Sequence, residues 1–187
     1  MVAHASRQGI EPGSLPSYLQ RYSMSWSRLG KTCEATGSTL TKTSGGSYPR
    51  HASFGPLLTE GVHTWELVLT AAATANGNRT AYVGVGREGL DVEKGNHAKS
   101  GDAWYLRIDN GTLYGSGVAD VADQAPVAKA FVVGDRIGVR LDLGDGSLAF
   151  EKNGSLMVGA FPAGSVSDPV VGAVELLTVG QALTLKG

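Results

Sequence analysis

The stretch GDRIGVRLDLGDGSLAFEKNG, residues 134–154, carries the signal that decides the fold. Apolar and polar residues alternate through VRLDL and again through SLAFE, the period of two that marks a half-buried strand. Between the two runs lies Asp145-Gly146, a favoured dipeptide for a two-residue hairpin turn. That turn predicts Leu143 facing Leu148, Leu141 facing Phe150, and Arg140 facing Glu151 on the opposite side. Apolar then meets apolar and opposite charges meet. Asn153-Gly154 supplies a second turn, pairing Phe150 with Met157. Upstream, WYLRIDNGTLYG offers Asn110-Gly111, which pairs Ile108 with Leu113 and Arg107 with Tyr114.

Working outward, GVHTWELVLT at 61–70 places Trp65, Leu67 and Leu69 on one face, with Thr64 and Glu66 on the other. Trp65 and Trp104 are both expected in the core. The next segment, TAAATANGNRTAYVGV, puts Val83 and Val85 on the wrong side of a two-residue turn, so an odd loop such as Asn76-Gly77-Asn78, or a bulge, is expected. No long helical period occurs; SLPSYLQRY at 14–22 allows one or two turns at most. The 27 glycines fall mostly between short alternating segments, the pattern of a strand-rich sandwich or barrel.

Bulk properties narrow the function. A chain of 187 residues with 42% hydrophobic content builds a full core. A net charge of −1 leaves no broad basic field, which argues against nucleic acid as the main partner. No apolar run is long enough to span a bilayer, and the N-terminus lacks an apolar signal core. The single cysteine, Cys33, reads as a buried or inert thiol in a reducing compartment. The expected location is cytoplasmic, inside the cell, with the nucleus as an option. The three Asn-x-Ser/Thr triplets then read as turns rather than glycan sites.

Catalytic and nucleotide motifs do not hold together. GVGREG at 84–89 satisfies G-x-G-x-x-G but is followed by short, polar, glycine-broken sequence instead of a helix. Its glycines read as strand positions that allow close backbone approach. GKT at 30–32 lacks the first glycine of a phosphate loop, since position 25 is Ser25. Asp142, Asp145 and Glu151 are absorbed by turn and cross-strand roles. His63 shares the Trp65 face and reads as packed or capping. No Ser/His/Asp or metal-ligand set is present, so neither an enzyme, a metal nor a cofactor is expected.

Several ordered motifs together resemble the SPRY domain family. GVHTWELVL resembles its signature strand, glycine–x–histidine–x–tryptophan–glutamate–apolar. AYVGVG, DAWYLRIDNGTLYGSG, GDRIGVRLDLGDGSLAFEKNG and the closing GAF and DPVVGAVELL follow in the family's order, from about residue 61 to the C-terminus. The resemblance implies an all-β fold, a bent two-sheet antiparallel β-sandwich of concanavalin-like jelly-roll topology with few or no helices. It implies an N-terminal extension over residues 1–22, partly flexible, and a single SPRY-like sandwich over 23–187. It also implies a non-enzymatic protein-interaction module, possible as an adaptor, that takes a short peptide segment or surface of a partner protein on loops at one rim. A monomer is expected, with no membrane role. The alternative is a carbohydrate-binding lectin-like sandwich.

Carried over by position from the SOCS-box SPRY adaptors, the peptide pocket falls as follows. Their arginine and proline before the signature strand are nearest Lys42 and Thr43 by counting, with Pro49 and Arg50 offering similar chemistry. Arg79 or Thr80 matches a threonine at the start of the next strand. Their valine–tryptophan–glycine is met by Val174, Glu175 and Leu176, so an acid stands where the adaptors have tryptophan. A more polar peptide, with a basic residue near Glu175, is expected. Two loops carry the most anchor chemistry: residues 44–54, with Tyr48, Pro49, Arg50 and His51, and residues 87–101, with Arg87, His97 and Lys99.

Overall fold

The computed structural model describes residues 24–45, 50–73, 76–94, 101–115, 131–157, 160–167 and 169–187, with the backbone alone at residues 50 and 51. Tyr48, Pro49, His97 and Lys99 lie outside the described residues. The strands are β1 (Trp26–Leu29), β2 (Cys33–Thr36), β3 (Thr39–Lys42), β4 (Arg50–Leu58), β5 (Val62–Ala71), β6 (Ala81–Arg87), β7 (Ala103–Arg107), β8 (Leu113–Gly115), β9 (Arg136–Asp142), β10 (Ser147–Lys152), β11 (Ser155–Leu156), β12 (Val170–Leu176) and β13 (Ala182–Lys186). No helix occurs among the described residues.

These strands form two antiparallel sheets. The six-stranded sheet runs β1-β4-β12-β6-β7-β8 and the seven-stranded sheet runs β11-β10-β9-β5-β13-β3-β2. Their facing sides enclose one core. Trp65, at 7% exposure, projects from the seven-stranded sheet, and Trp104, at 0%, from the six-stranded one. Phe54 links the two layers, edge-on to Trp65 at 6.0 Å and to Trp26 at 5.3 Å. Cys33 is buried. His63 Nε2 bonds the Glu60 carbonyl at 2.7 Å, the capping role expected of it.

The inside and outside of each strand follow the sequence, but two of the three hairpin registers do not. Leu148 faces Leu141, Phe150 faces Val139 and Glu151 faces Gly138, while Arg140 stands opposite Ala149. Arg140 and Glu151 are therefore not direct cross-strand neighbours. The loop holds four residues, 143–146, rather than two. A type I′ turn needs positive φ at both central residues, and here only Gly146 has it, at 76°. Instead Gly146 N–H donates to the Asp142 carbonyl at 2.8 Å. The Asp142 and Asp145 carboxylates each accept a loop amide, from Gly144 and Ser147, at 2.9 Å. The β7–β8 hairpin widens in the same way. Leu106 faces Leu113 and Tyr105 faces Tyr114, Gly111 N–H donates to the Arg107 carbonyl at 2.8 Å, and Asn110 Oδ1 accepts the Thr112 amide at 3.0 Å. Only at Asn153-Gly154 are both φ values positive, 52° and 81°. That turn has the expected register, with Met157 N–H donating to the Phe150 carbonyl.

The segment between β5 and β6 is not a hairpin. β5 belongs to the seven-stranded sheet and β6 to the six-stranded one, so the connection crosses between layers. Each strand then meets the same core from its own side, and the parity rule that asked for an odd loop does not apply. The glycines of GVGREG do serve close approach. A Cβ on Gly84 would lie 2.0 Å from the Trp104 carbonyl oxygen, and one on Gly86 would lie 2.9 Å from Leu90 Cδ2.

Candidate functional site

At one end of the six-stranded sheet, β4 and β6 begin and β12 ends. Leu176 is the partner of both Arg50 and Ala81. Four connections meet there, and Gln181 ties three of them together. Its amide donates to the carbonyls of Thr80 at 2.8 Å and Asn78 at 3.2 Å. Its Oε1 accepts the amides of Leu177 and Thr178, each at 2.8 Å. Backbone bonds run from Lys42 N–H to the Gln181 carbonyl and from Gly180 N–H to the Lys42 carbonyl. Gln181 is fully buried, so these bonds form away from water and fix the loops relative to one another.

Asp109 fixes the neighbouring loop. It accepts from Thr80 Oγ1 at 2.7 Å and takes a two-point grip from Arg107, Nε at 2.6 Å and Nη2 at 2.8 Å. Burial raises the Asp109 carboxyl, but the Arg107 and Thr80 hydrogen bonds outweigh it and hold the group below the usual carboxylate range. The hydrogen bond to Asp109 likewise raises Arg107 above its ordinary value.

Beside this rim lies the outer face of the six-stranded sheet. Its first row reads His51, Glu175, Tyr82, Arg107 across β4, β12, β6 and β7; the next reads Ser53, Ala173, Gly84, Tyr105, Tyr114. Tyr82 stands edge-on to Tyr114 at 5.5 Å and lies 6.1 Å from Tyr105. Burial pushes the Tyr82 hydroxyl up to about 12, with Arg107 opposing and Glu175 adding to the rise. Tyr105 is raised further by complete burial, again with Glu175 contributing.

The candidates are thus distributed unevenly. Arg50, His51, Arg79, Thr80 and Glu175 belong to this end. Arg87 does not; it sits the length of β6 away, about 20 Å at ~3.3 Å per residue. Its Nε donates to the Gly101 carbonyl at 3.1 Å and its guanidinium lies 5.0 Å from the Trp104 ring centre. Arg87 therefore anchors its own loop. Thr80 is buried, with its hydroxyl committed to Asp109, so it builds the rim from behind. Glu175 is only 2% exposed and lies within the sheet face rather than on an open wall; a ligand's basic residue cannot reach it in this conformation. Sequence reasoning missed Tyr82, Tyr114, Gln181 and the Arg107–Asp109 pair. Alternation marks Tyr82 as outward-facing, because Val83 and Val85 face in, but nothing local reveals the pairing of Gln181 with residues a hundred positions earlier.

The SPRY domain family model matches residues 62–185. The chain belongs to the SPRY family. Its architecture agrees: the SPRY domain of human HERC1 superposes with a TM-score of 0.68 at 23% identity, covering 83% of this chain and 92% of that one. The TRIM65 PSpry domain gives 0.65 at 18%, covering 89% and 93%. A further human SPRY domain gives 0.65 at 18%, covering 85% and 96%. No curated protein sequence matches. SPRY domains are generally non-catalytic modules of protein–protein interaction.

Proposed function

We propose that this SPRY domain captures a short segment of a partner protein at the rim where β4 begins and β12 ends, and serves as an intracellular adaptor without catalysis. The observation that supports this most is the Gln181 and Asp109 network. It fixes the loops on both sides of the rim before any partner arrives, which lowers the ordering cost of binding. Arg50 and Arg79 supply multi-donor forks for the carbonyls and side-chain amides of an extended peptide. Tyr48, Pro49 and His51 add apolar and ring contacts.

The test is quantitative capture of partners from lysate by wild type and by Tyr48→Ala, Arg50→Ala and Arg79→Ala. Each variant should lose a shared set of proteins while its melting temperature stays nearly unchanged. If all three recover the wild-type set at wild-type yield, the rim is the wrong surface.

A further inference from the structure

Residues 88–94 do not loop away from the sheet after β6. They fold back across its outer face. Glu88 N–H bonds the Pro169 carbonyl at 3.1 Å, and Gly89 turns the chain with φ of 77°. Leu90 then drops onto a floor of small residues. It packs with Ala103, Tyr105 and Ala173, and lies over Gly86 so closely that a Cβ there would be 2.9 Å from Leu90 Cδ2. Asp91 shapes a tight turn by accepting the Glu93 amide at 3.0 Å. Val92 is buried as well. Finally Glu93 Oε1 accepts the Lys31 amide, in the turn between β1 and β2, at 2.8 Å.

In the sheet order β1-β4-β12-β6-β7, the Leu90 contacts sit on β12, β6 and β7, and Lys31 lies just beyond β1. The four residues Leu90–Glu93 therefore span β12 and β4. They present two apolar side chains, two apart, followed by a carboxylate that meets a backbone N–H. That is how a bound peptide reads on a receptor: apolar anchors in notches and a charged end on a main-chain donor. The notch exists because positions 84, 86, 103 and 173 are Gly, Gly, Ala and Ala. A larger residue at Gly86 would fill it.

We infer that the outer face of the six-stranded sheet is a peptide-binding surface that this chain fills with its own segment 90–93. The partner it fits carries an apolar–x–apolar–carboxylate sequence that displaces the strap and seats its acid on the Lys31 amide. Displacement uncovers the row of Ser53, Ala173 and Tyr105. This surface is distinct from the rim and does not depend on the rim reading.

The test uses a fluorescent peptide with the sequence of residues 88–94, EGLDVEK, added to the full chain and followed by anisotropy. In a variant whose residues 89–94 are replaced by a Gly-Ser linker of equal length, the peptide should bind at least tenfold more tightly than to wild type. A peptide carrying Leu90→Ser should lose that gain. A folded linker variant, with a cooperative melt, that binds EGLDVEK no better than wild type does would overturn the inference. Should the linker variant not fold, Glu93→Ala removes the clip to Lys31 and keeps Leu90 and Val92. It should still raise peptide binding several-fold, and no increase there overturns the inference equally. Tyr48→Ala and Arg50→Ala report on the rim, so failure of one surface is separable from failure of the other.

Discussion

The two outer faces of this sandwich have the same origin, alternate residues of antiparallel strands, yet opposite character. On the seven-stranded sheet the outward row carries Thr39, Thr184 and Thr70, whose hydroxyls bond one another. Next to them Arg136 reaches Glu66 at 3.7 Å, with the arginine side chain half in solvent. On the six-stranded sheet the outward rows carry three tyrosines, a buried carboxylate and small residues that accept the strap. A polar, hydrated face has little to gain from a partner. A face of aromatic rings and backbone-close notches gains much, because burying its apolar area is favourable and its ordering cost is already met by packing. The difference is the ground on which the six-stranded side is proposed as the one that takes a partner.

The largest effect should come from treating the outer face of the six-stranded sheet as a second core. Tyr105→Ala should destabilise by about 3–5 kcal/mol, comparable to Trp104→Ala on the inner side of the same strand. Chemical denaturation reads both. A Tyr105→Ala cost close to zero would reduce that face to an ordinary surface and remove the contrast.

An intermediate effect is expected at Asp109. Asp109→Asn should cost roughly 1.5–3 kcal/mol, the worth of hydrogen bonds to a charged group. Its sign with pH is fixed by the lowered carboxyl. A group whose folded pKa lies below its unfolded value of about 3.9 stabilises the fold above that value and loses the contribution as pH falls through the folded one. Asp135 behaves alike: burial raises it, but hydrogen bonds from Asn153, the Val132 amide and Lys152 bring it lower. Thermal melts should be flat from pH 7 to about 5 and fall below about 4. The fall should be shallower in Asp109→Asn, and an identical acid limb in the variant would show that this pair does not couple to folding.

The smallest effects belong to the seven-stranded face. Arg136→Ala should change stability by about 0.2–1 kcal/mol, less in high salt. Thr184→Val should stay within about 0.5 kcal/mol. A large cost at either position would mean that the threonine face is structural too, and the asymmetry would dissolve.

Much of this was legible in the chain. The buried and exposed sides of β5, β9 and β10 follow from alternation alone, and the ordered motifs from residue 61 onward identify the family. Register was less legible at Asp145-Gly146 and Asn110-Gly111. A glycine with positive φ closes a four-residue loop as well as a two-residue one, and the neighbouring Asp and Asn side chains favour the wider loop by accepting its amides. A slip of two residues preserves both faces, so hydrophobicity could not tell the registers apart. The candidate residues were chosen by type, and their places were not legible. Arg87 and Arg50 look equivalent in sequence, but Arg50 opens β4 and Arg87 closes β6, two strands that run in the same direction, so they stand at opposite ends. Glu175 reads as a charged member of the site, while its burial within the sheet face, at 2% exposure, is a long-range outcome that no local pattern records.

The positions of β12 and β13 have a consequence for the order of events during synthesis. β12 lies between β4 and β6, and β13 lies between β5 and β3. Neither sheet is continuous until residues 170–186 have left the ribosome, so β1 to β11 emerge as separate hairpins and unjoined half-sheets with open edges. Such long-range closure folds slowly and exposes strand edges meanwhile. The rim, whose bonds run through Gln181, is completed in the same final step. A chain halted before residue 170 would therefore lack the rim along with the fold.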